Sequence, residues 1–419
     1  MEKPIRGQKT ICIPIASEAV YGEILENLDE FRKYLEETIE LHPELFPPQI
    51  SDGYRFYGMT YSQKQDMKLR RIQLLSSGEV YQLRPDFVMP YMIGKTDEVE
   101  KALYLRRYGV PFEALAYVFG RDPMYWYRAE QSLGRFSLVG TTVKDPEQLP
   151  VNLLADEKHS WLLGERVYLP TTVAMECILG VDIVESASVK DLTLGYQDFR
   201  TESLNLKPDY QPETVNTDGW QETQKAWKQL FPHITLVLCF LHSFLSIKQH
   251  LRRSKNLLGV IGDKLWHLYQ ATNKSQFAQR LRRLQEWATP EQIESDIVRE
   301  KLHKLKAKAP QFQVAFDFPE AHRTSNALDR LMNYQDRYLY SMQYFHGSFE
   351  SARLQLRAMA LLWNFHPYTQ RTKSANPERS SPFGELNGFV YHDNWLHNLL
   401  IAGSMSGYIP RPESLNRIQ

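Results

Sequence analysis

Two acidic residues of this chain stand where a site for divalent metal ions could form. Asp156 follows a short apolar stretch at 151–155, and Asp218 follows another at 213–217. A carboxylate at the end of a buried strand is costly unless a cation lies against it. Carboxylate oxygens suit Mg²⁺, and two such ions about 3.5–4 Å apart promote cleavage of phosphodiesters. The sequence therefore predicts a metal site that contains Asp156 and Asp218.

A third acid is needed to complete such a site, and two positions are open. Asp329 falls in the first turn of one predicted helix, and Glu350 opens the next. A helix whose apolar face packs on the sheet would bring Asp329 to the sheet edge. Each acid also has an ordinary structural explanation, since Asp218 could simply cap the helix that follows it.

Cys239 and His242 form a Cys-x-x-His pair directly after the next predicted strand. The pair could be half of a zinc site, but no second pair of ligands is evident. His242 could instead orient a carboxylate, contact a phosphate or be a buried histidine with satisfied hydrogen bonds. Cys239 could be a small buried apolar residue. We include His242 as an accessory residue of the predicted site.

The elements that would position these residues follow a defined order. Apolar alternation and turn residues predict strands at 151–155, 166–173, 176–184, 213–217 and 234–238, with helices at 196–206 and 221–230. Three strands in a meander, followed by alternating helices and strands, are typical of the ribonuclease H-like fold. The predicted class is therefore α/β, with a ribonuclease H-like mixed sheet.

The segment after this core is basic, although the whole chain has 50 Lys and Arg against 50 Asp and Glu. We interpret residues 246–320 as an all-helical insertion whose cations would hold a DNA backbone. A solvated helix surface would explain the same charge run. The predicted contacts at the start of the insertion are Lys248, Arg252 and Arg253.

Two small elements before the core could also bind DNA. A pattern of strand, Ser-Ser-Gly turn and strand at 70–84 predicts a β-hairpin. Short helices at 112–119 and 124–133 have the spacing of a helix-turn-helix, with the second helix facing the major groove. An ordinary helical hairpin with buried aromatic residues is the alternative. The arginines near phosphates or base edges would be Arg121, Arg128 and Arg135.

These patterns divide the chain into six regions. In order, they are an N-terminal helix with the hairpin, the helix-turn-helix, the first part of the core, the insertion, the last helices of the core and a C-terminal tail: 1–96, 97–145, 146–245, 246–320, 321–366 and 367–419. Three cysteines, no signal peptide and no apolar run long enough to span a bilayer predict a cytoplasmic protein without a membrane partner.

Several stretches resemble a known family. The segment from Asp218-Gly-Trp through Phe231-Pro to Cys239-x-x-His242 resembles the region of the second catalytic aspartate in Mutator-like transposases. Gly109-Val-Pro-Phe-Glu-Ala-Leu and Tyr344-Phe-His-Gly resemble bacterial insertion-sequence transposases of the DDE type. Together the matching stretches span roughly residues 70 to 400.

The resemblance implies a ribonuclease H-like core with a helical insertion between its second and third acids. It implies two Mg²⁺ or Mn²⁺ ions, held by Asp156, Asp218 and Asp329. In the third-acid motif, Asp329 replaces the glutamate that related transposases have, whereas Glu350 keeps that residue type. The implied reaction is DNA transposition, in which the enzyme cleaves transposon ends and transfers the 3′-hydroxyl into target DNA.

The implied partners are double-stranded DNA, as terminal inverted repeats and as target, and further copies of this chain in a dimer or larger assembly. The protein would associate with the nucleoid in the cytoplasm. Two alternatives stay open at this point. One is a structure-selective nuclease on the same core, and the other is a catalytically inactive DNA-binding protein derived from a transposase.

Overall fold

A computed structural model of the protein describes residues 7–251, 255–376 and 379–409 and shows a mixed α/β architecture with two sheets. The elements before the second sheet are β1 (Thr10–Ile13), α1 (Glu18–Glu26), α2 (Leu28–Leu41), β2 (Tyr54–Ser62), β3 (Met67–Leu74), β4 (Val80–Pro85), α3 (Thr96–Arg106), α4 (Phe112–Phe119), α5 (Pro123–Leu133) and α6 (Leu138–Thr142).

The second sheet and its crossover helices follow. They are β5 (Asn152–Leu162), β6 (Glu165–Ala174), β7 (Cys177–Val181), α7 (Val189–Leu206), β8 (Thr214–Thr217), α8 (Gln221–Leu230) and β9 (Thr235–Leu238). The remaining helices are α9 (Phe240–Lys248), α10 (Lys255–Tyr269), α11 (Lys274–Trp287), α12 (Asp296–Gln313), α13 (Asn326–Ser341), α14 (Phe349–Phe365), α15 (Gln370–Ala375), α16 (Pro382–Asn387) and α17 (Trp395–Ala402).

The first sheet has the order β1-β4-β3-β2. Strands β3 and β4 pair antiparallel around the Ser-Ser-Gly turn, so the predicted hairpin is confirmed. Strand β1 forms one edge of this sheet and pairs parallel with β4. Strand β2 forms the opposite edge, and the chain then runs through β3 to β4, beside β1. Its apolar residues pack in one core with α2, α3 and the late helices α14 and α17.

The second sheet has the order β7-β6-β5-β8-β9. Strands β5, β6 and β7 are antiparallel neighbours, whereas β8 and β9 run parallel to β5 and are reached through α7 and α8. Helices α13 and α14 cover one face, and α6, α7 and α8 cover the other. The sheet is therefore the middle layer between two layers of helices, as the predicted α/β class requires.

Strand β5 is longer than the sequence pattern predicted. It continues past Ala155 to Leu162, so Asp156 lies within the strand and not at its end. The antiparallel ladder with β6 continues from Asp156 to Leu162, a segment in which Lys158 and His159 are at least partly exposed. The prediction that Asp156 ends a strand was therefore wrong.

The helical character of the predicted insertion is confirmed for its described residues. Helices α9 to α12 pack around an apolar core of their own, which includes Phe277, Leu281, Leu302 and Phe312. None of the helices in the described ranges is both long and apolar enough to cross a membrane.

A buried ion pair joins the segment before α6 to helices α7 and α14. The Arg357 guanidinium of α14 contacts Glu202 of α7 and donates to the Phe136 carbonyl at 2.9 Å. Glu202 also accepts from the Ser137 hydroxyl at 2.8 Å and from the Val139 amide at 3.0 Å. The residues that precede α6 are thereby held against both helical layers.

Candidate functional site

Asp156 and Asp218 are in register on neighbouring parallel strands. The ladder between β5 and β8 pairs Asn152 with Thr214 and Leu154 with Asn216. The same offset in residue number separates Asp218 from Asp156. Because parallel strands keep a constant register, the carboxylate after the end of β8 lies beside the one within β5.

Backbone amides fix one oxygen of each carboxylate. The Glu157 amide donates to Asp156 Oδ1 at 2.8 Å, and the Trp220 amide donates to Asp218 Oδ1 at 2.7 Å. Asp218 thus closes a turn, and the N-cap of α8 is Trp220, which has no side-chain capping bond. Gly219 has φ of +95° in this turn, a conformation that favours glycine. The second oxygens accept no hydrogen bond from the described residues.

Helix α13 brings Asp329 toward this pair. Lys158 of β5 forms an ion pair of 2.7 Å with Asp336, and Gln335 donates to the Thr171 hydroxyl of β6 at 3.0 Å. These contacts hold α13 across the sheet. Asp329 lies two turns before Asp336 on the same helix and is close enough for its charge to affect Asp156.

The electrostatics of Asp156 follow from this crowding. Burial, followed by the charge of Asp218, raises the pKa of Asp156 to about 6; Asp329 adds to the increase and His242 opposes it. Burial also raises the pKa of Asp329. Across the described ranges, no lysine or arginine forms an ion pair with Asp156, Asp218 or Asp329. These three carboxylates influence one another's charge without a lysine or arginine to neutralise them, and their oxygens could hold divalent ions.

The three acids differ from a compact single-ion site. Their ligand oxygens do not all lie within 4.8 Å of one another in the described structure. Carboxylate oxygens are nevertheless the ligands that suit Mg²⁺ or Mn²⁺.

Cys239 and His242 connect the second and third acids. Cys239 is buried after β9, and its thiol donates to the Ser325 hydroxyl at 3.3 Å, which lies 3.4 Å from both oxygens of Asp329. Interaction with Cys239 raises the pKa of His242 to about 9 against the effect of burial, and the charges of Asp156 and Asp218 add to the increase. No described group of three metal-type ligands includes either Cys239 or His242.

Glu157 points to the opposite face of β5. Its Oε1 accepts hydrogen bonds from the Tyr196 and Thr223 hydroxyls, each at 2.7 Å. Burial raises the pKa of Glu157 to about 8, so the group is mostly protonated at neutral pH. It is a buried partner of α7 and α8 and offers no charged oxygen to the site.

Glu350 lies away from the three converging acids. It lines a cavity of about 650 Å³ together with Asp182, Asp198 and Arg353. Arg353 pairs with both of those aspartates. Asp329, and not Glu350, is the third acid that affects the titration of Asp156.

The predicted DNA-binding residues are distributed over two surfaces. Arg128 and Arg135 line a groove of about 790 Å³ that Lys64 of the β2–β3 turn also lines. Arg121 is exposed and pairs at 3.9 Å with Glu98. Helix α5 buries Trp126, Ala129 and Leu133, as the helical-hairpin alternative also required. Lys248 is exposed at the end of α9, and Arg252 and Arg253 lie outside the described residues.

The sequence analysis missed a cluster formed by Asp86, His392 and His397. Nδ1 of His397 lies 2.7 Å from Oδ2 of Asp86, and Nε2 lies 3.0 Å from Oδ1 of Asp97. Both ring nitrogens are therefore hydrogen bonded to carboxylates. The rings of His392 and His397 stack at 4.6 Å with an interplanar angle of 20°, and one ligand atom from each of these two histidines and from Asp86 lies within 4.8 Å of the others. The cluster is thus an anchor of α17 on the first sheet. No local pattern joins residues so distant in sequence.

No protein-family model matches the chain, and no curated protein matches it. The geometry of the site is therefore the main support for a functional assignment.

Proposed function

We propose that this protein is a DNA transposase with a ribonuclease H-like core, which cleaves DNA at transposon ends and joins the 3′-hydroxyl to target DNA. The observation that carries the proposal is the convergence of Asp156, Asp218 and Asp329 from three elements far apart in sequence. The order β7-β6-β5-β8-β9, with a parallel pair at one edge, supports the fold assignment. Helices α9 to α12 separate the second acid from the third, as the resemblance implies.

The three carboxylates would hold two Mg²⁺ or Mn²⁺ ions. Such ions, when bound, activate the attacking oxygen and stabilise the charge that develops on the phosphate. The side chains of the protein position the reaction. Below about pH 6, a proton competes with metal ions for the Asp156 carboxylate, because the pKa of that carboxyl group is raised. Interaction with Cys239 raises the pKa of His242 to about 9, which favours the imidazolium beside the acids, where a ring N–H could donate to a phosphate oxygen.

Two surfaces support DNA as the substrate. The groove lined by Lys64, Arg128 and Arg135 lies along the exposed side of α5, which would approach a DNA groove as the second helix of a helix-turn-helix does. The basic insertion lies beside the acids. Synapsis of two transposon ends requires at least two copies of the chain, so we propose a dimer or larger assembly on DNA.

The experiment that tests this proposal supplies purified protein with DNA ending in the sequences that flank its gene, a supercoiled plasmid and Mg²⁺. We expect cleaved ends and joined products. Asp218→Asn and Asp329→Asn should each lower the rate at least about 100-fold, because the metal ions contribute several kcal/mol to the transition state. DNA affinity without metal should change by less than about twofold. Glu350→Gln is the matched control and should keep wild-type rates.

The possible outcomes separate the alternatives. Cleavage without joined products indicates a structure-selective nuclease on the same core. If Asp218→Asn leaves every activity unchanged, the catalytic proposal is wrong and only DNA binding remains. Loss of activity in Glu350→Gln but not in Asp329→Asn would assign the third acid to Glu350.

A further inference from the structure

A row of lysines lines the cavity that contains Asp218. Lys301, Lys304 and Lys308 follow one another along α12 at intervals of three and four residues, so they share one face of that helix. Asp218 and His242 line the same cavity, which has a volume of about 380 Å³. The cationic helix face and one of the proposed metal ligands therefore open into a single space.

Helix α9 forms the opposite wall of this cavity. Ser243 and Ser246 line it from that side, and Lys301 donates to the Ser246 hydroxyl at 2.7 Å. Lys304 pairs with Glu300 at 2.6 Å, and both side chains are largely exposed. Lys308 makes no ion pair in the described part of the chain. Within the row, Lys301 is hydrogen bonded to the opposite wall, Lys304 is ion-paired with a glutamate, and Lys308 is available to bind a ligand.

We propose that this lysine row binds the phosphodiester backbone of the DNA strand that enters the metal centre. The inference rests on the proposed function, because it assigns the lysines to the same substrate. Its geometry fits. The seven helical steps from Lys301 to Lys308 rise about 10 Å along an α-helix. A duplex strand advances about 3.4 Å per phosphate, so the row spans about three phosphates.

The negative charges of the three acids explain why lysines beside the site would help DNA to bind. Three carboxylates repel a polyanion, and this repulsion acts on every phosphate near the scissile one. Ammonium groups on the facing helix offset the repulsion and leave the oxygens of the acids available to metal ions. Glu300 competes with phosphate for Lys304, so removal of its charge should strengthen binding. The residues assigned here lie in α12, well after the basic positions 248–253 that the sequence analysis singled out.

The test measures DNA binding without catalysis. Full-length protein in EDTA is titrated against a fluorescent 30-base-pair duplex of arbitrary sequence at several KCl concentrations. Each phosphate contact contributes about 0.9 to the slope of log affinity against log salt. Lys308→Gln should therefore reduce the slope by about 0.9 and lower the affinity roughly eightfold at 0.1 M salt. Glu300→Gln should raise the affinity.

The matched control is Lys306→Gln, which removes the same charge from an exposed position of the same helix outside the cavity. It should change the slope by less than about 0.3. Equal effects of Lys306→Gln and Lys308→Gln, or no effect of Lys308→Gln, would overturn the proposal. Those results leave Mg²⁺-dependent cleavage by the wild-type protein untouched. Conversely, a Lys308-dependent slope in a protein that never cleaves DNA supports the lysine row and rejects the transposase.

Discussion

Asp156 shows how the candidate site costs the folded protein stability. Its carboxylate is buried beside Asp218 and Asp329, and its pKa is raised from 3.8 to about 6. The folded protein therefore binds this proton more tightly than the unfolded chain does. The destabilisation is absent below about pH 4, grows as the pH rises through the folded pKa and is complete above about pH 7. A bound cation would remove it.

We expect Asp156→Asn to stabilise the metal-free protein at pH 7.5. The gain should be about 2–3 kcal/mol, since a shift of one pKa unit corresponds to about 1.4 kcal/mol. Thermal or urea unfolding in EDTA measures it, and the difference from wild type should vanish near pH 4. Asp52→Asn, at an exposed position, is the control. A less stable Asp156→Asn protein at pH 7.5 would show that the acid is satisfied by partners other than a metal.

Residue-level chemistry was partly predictable from the sequence. The residue types and their positions near two neighbouring strands selected Asp156 and Asp218, because adjacent parallel strands place residues in register. Nothing local indicated that Ser325 would lie between Cys239 and Asp329, since that contact depends on how α13 crosses the sheet. The site assignments themselves stay predictions until activity is measured.

At the scale of elements, hydrophobic periodicity predicted most of the helices and strands. Helix α8 begins and ends at the predicted residues, and the helices at 112–119 and 124–133 are present. The length of β5 was not predictable, because residues 156–161 are polar and are held by the ladder with β6. Pairing between strands is a tertiary property that overrides a local pattern.

Helix α17 offers a test of element docking through His397. Burial lowers the pKa of this imidazole, but hydrogen bonds and charges of Asp86 and Asp97 outweigh burial and raise it. The folded protein thus gains stability from the charged form. This gain is complete below the usual histidine pKa of about 6.5 and is lost as the pH rises through the higher folded value.

We expect the stability of the wild-type protein to fall between neutral and alkaline pH by an amount that His397→Gln abolishes. Chemical unfolding at a series of pH values measures the effect. His233→Gln, an exposed histidine, should keep the wild-type dependence. An unchanged pH dependence in His397→Gln would mean that the imidazole is neutral in the folded protein.

For the whole molecule, the buried pair of Glu202 and Arg357 joins the segment before α6 to two helices that cover the second sheet. Glu202, on α7, accepts from Ser137 and Val139, at the start of α6, while Arg357 belongs to α14. The pair therefore holds the start of α6 against both α7 and α14. A sequence pattern could not predict it, because its members lie in three separate elements.

Breaking this pair from one side should destabilise the protein strongly. Glu202→Gln removes the buried counter-charge of the Arg357 guanidinium and leaves only the part-exposed Asp198, 3.4 Å away, so we expect a loss of about 3 kcal/mol. Equilibrium urea unfolding measures the change. Glu147→Gln, at an exposed carboxylate, should change stability by less than about 0.5 kcal/mol. A Glu202→Gln protein as stable as wild type would show that water reaches the arginine.

The contact between β1 and the end of the chain has a consequence for biosynthesis. The Cys12 amide donates to the Ser404 hydroxyl at 3.0 Å, and that hydroxyl donates to the Leu45 carbonyl at 2.6 Å. On the ribosome, β1 emerges hundreds of residues before the segment that covers it, so the first sheet must wait for the last helix. A nascent chain stopped before α17 would contain all three acids and yet leave its first core open to chaperones and proteases.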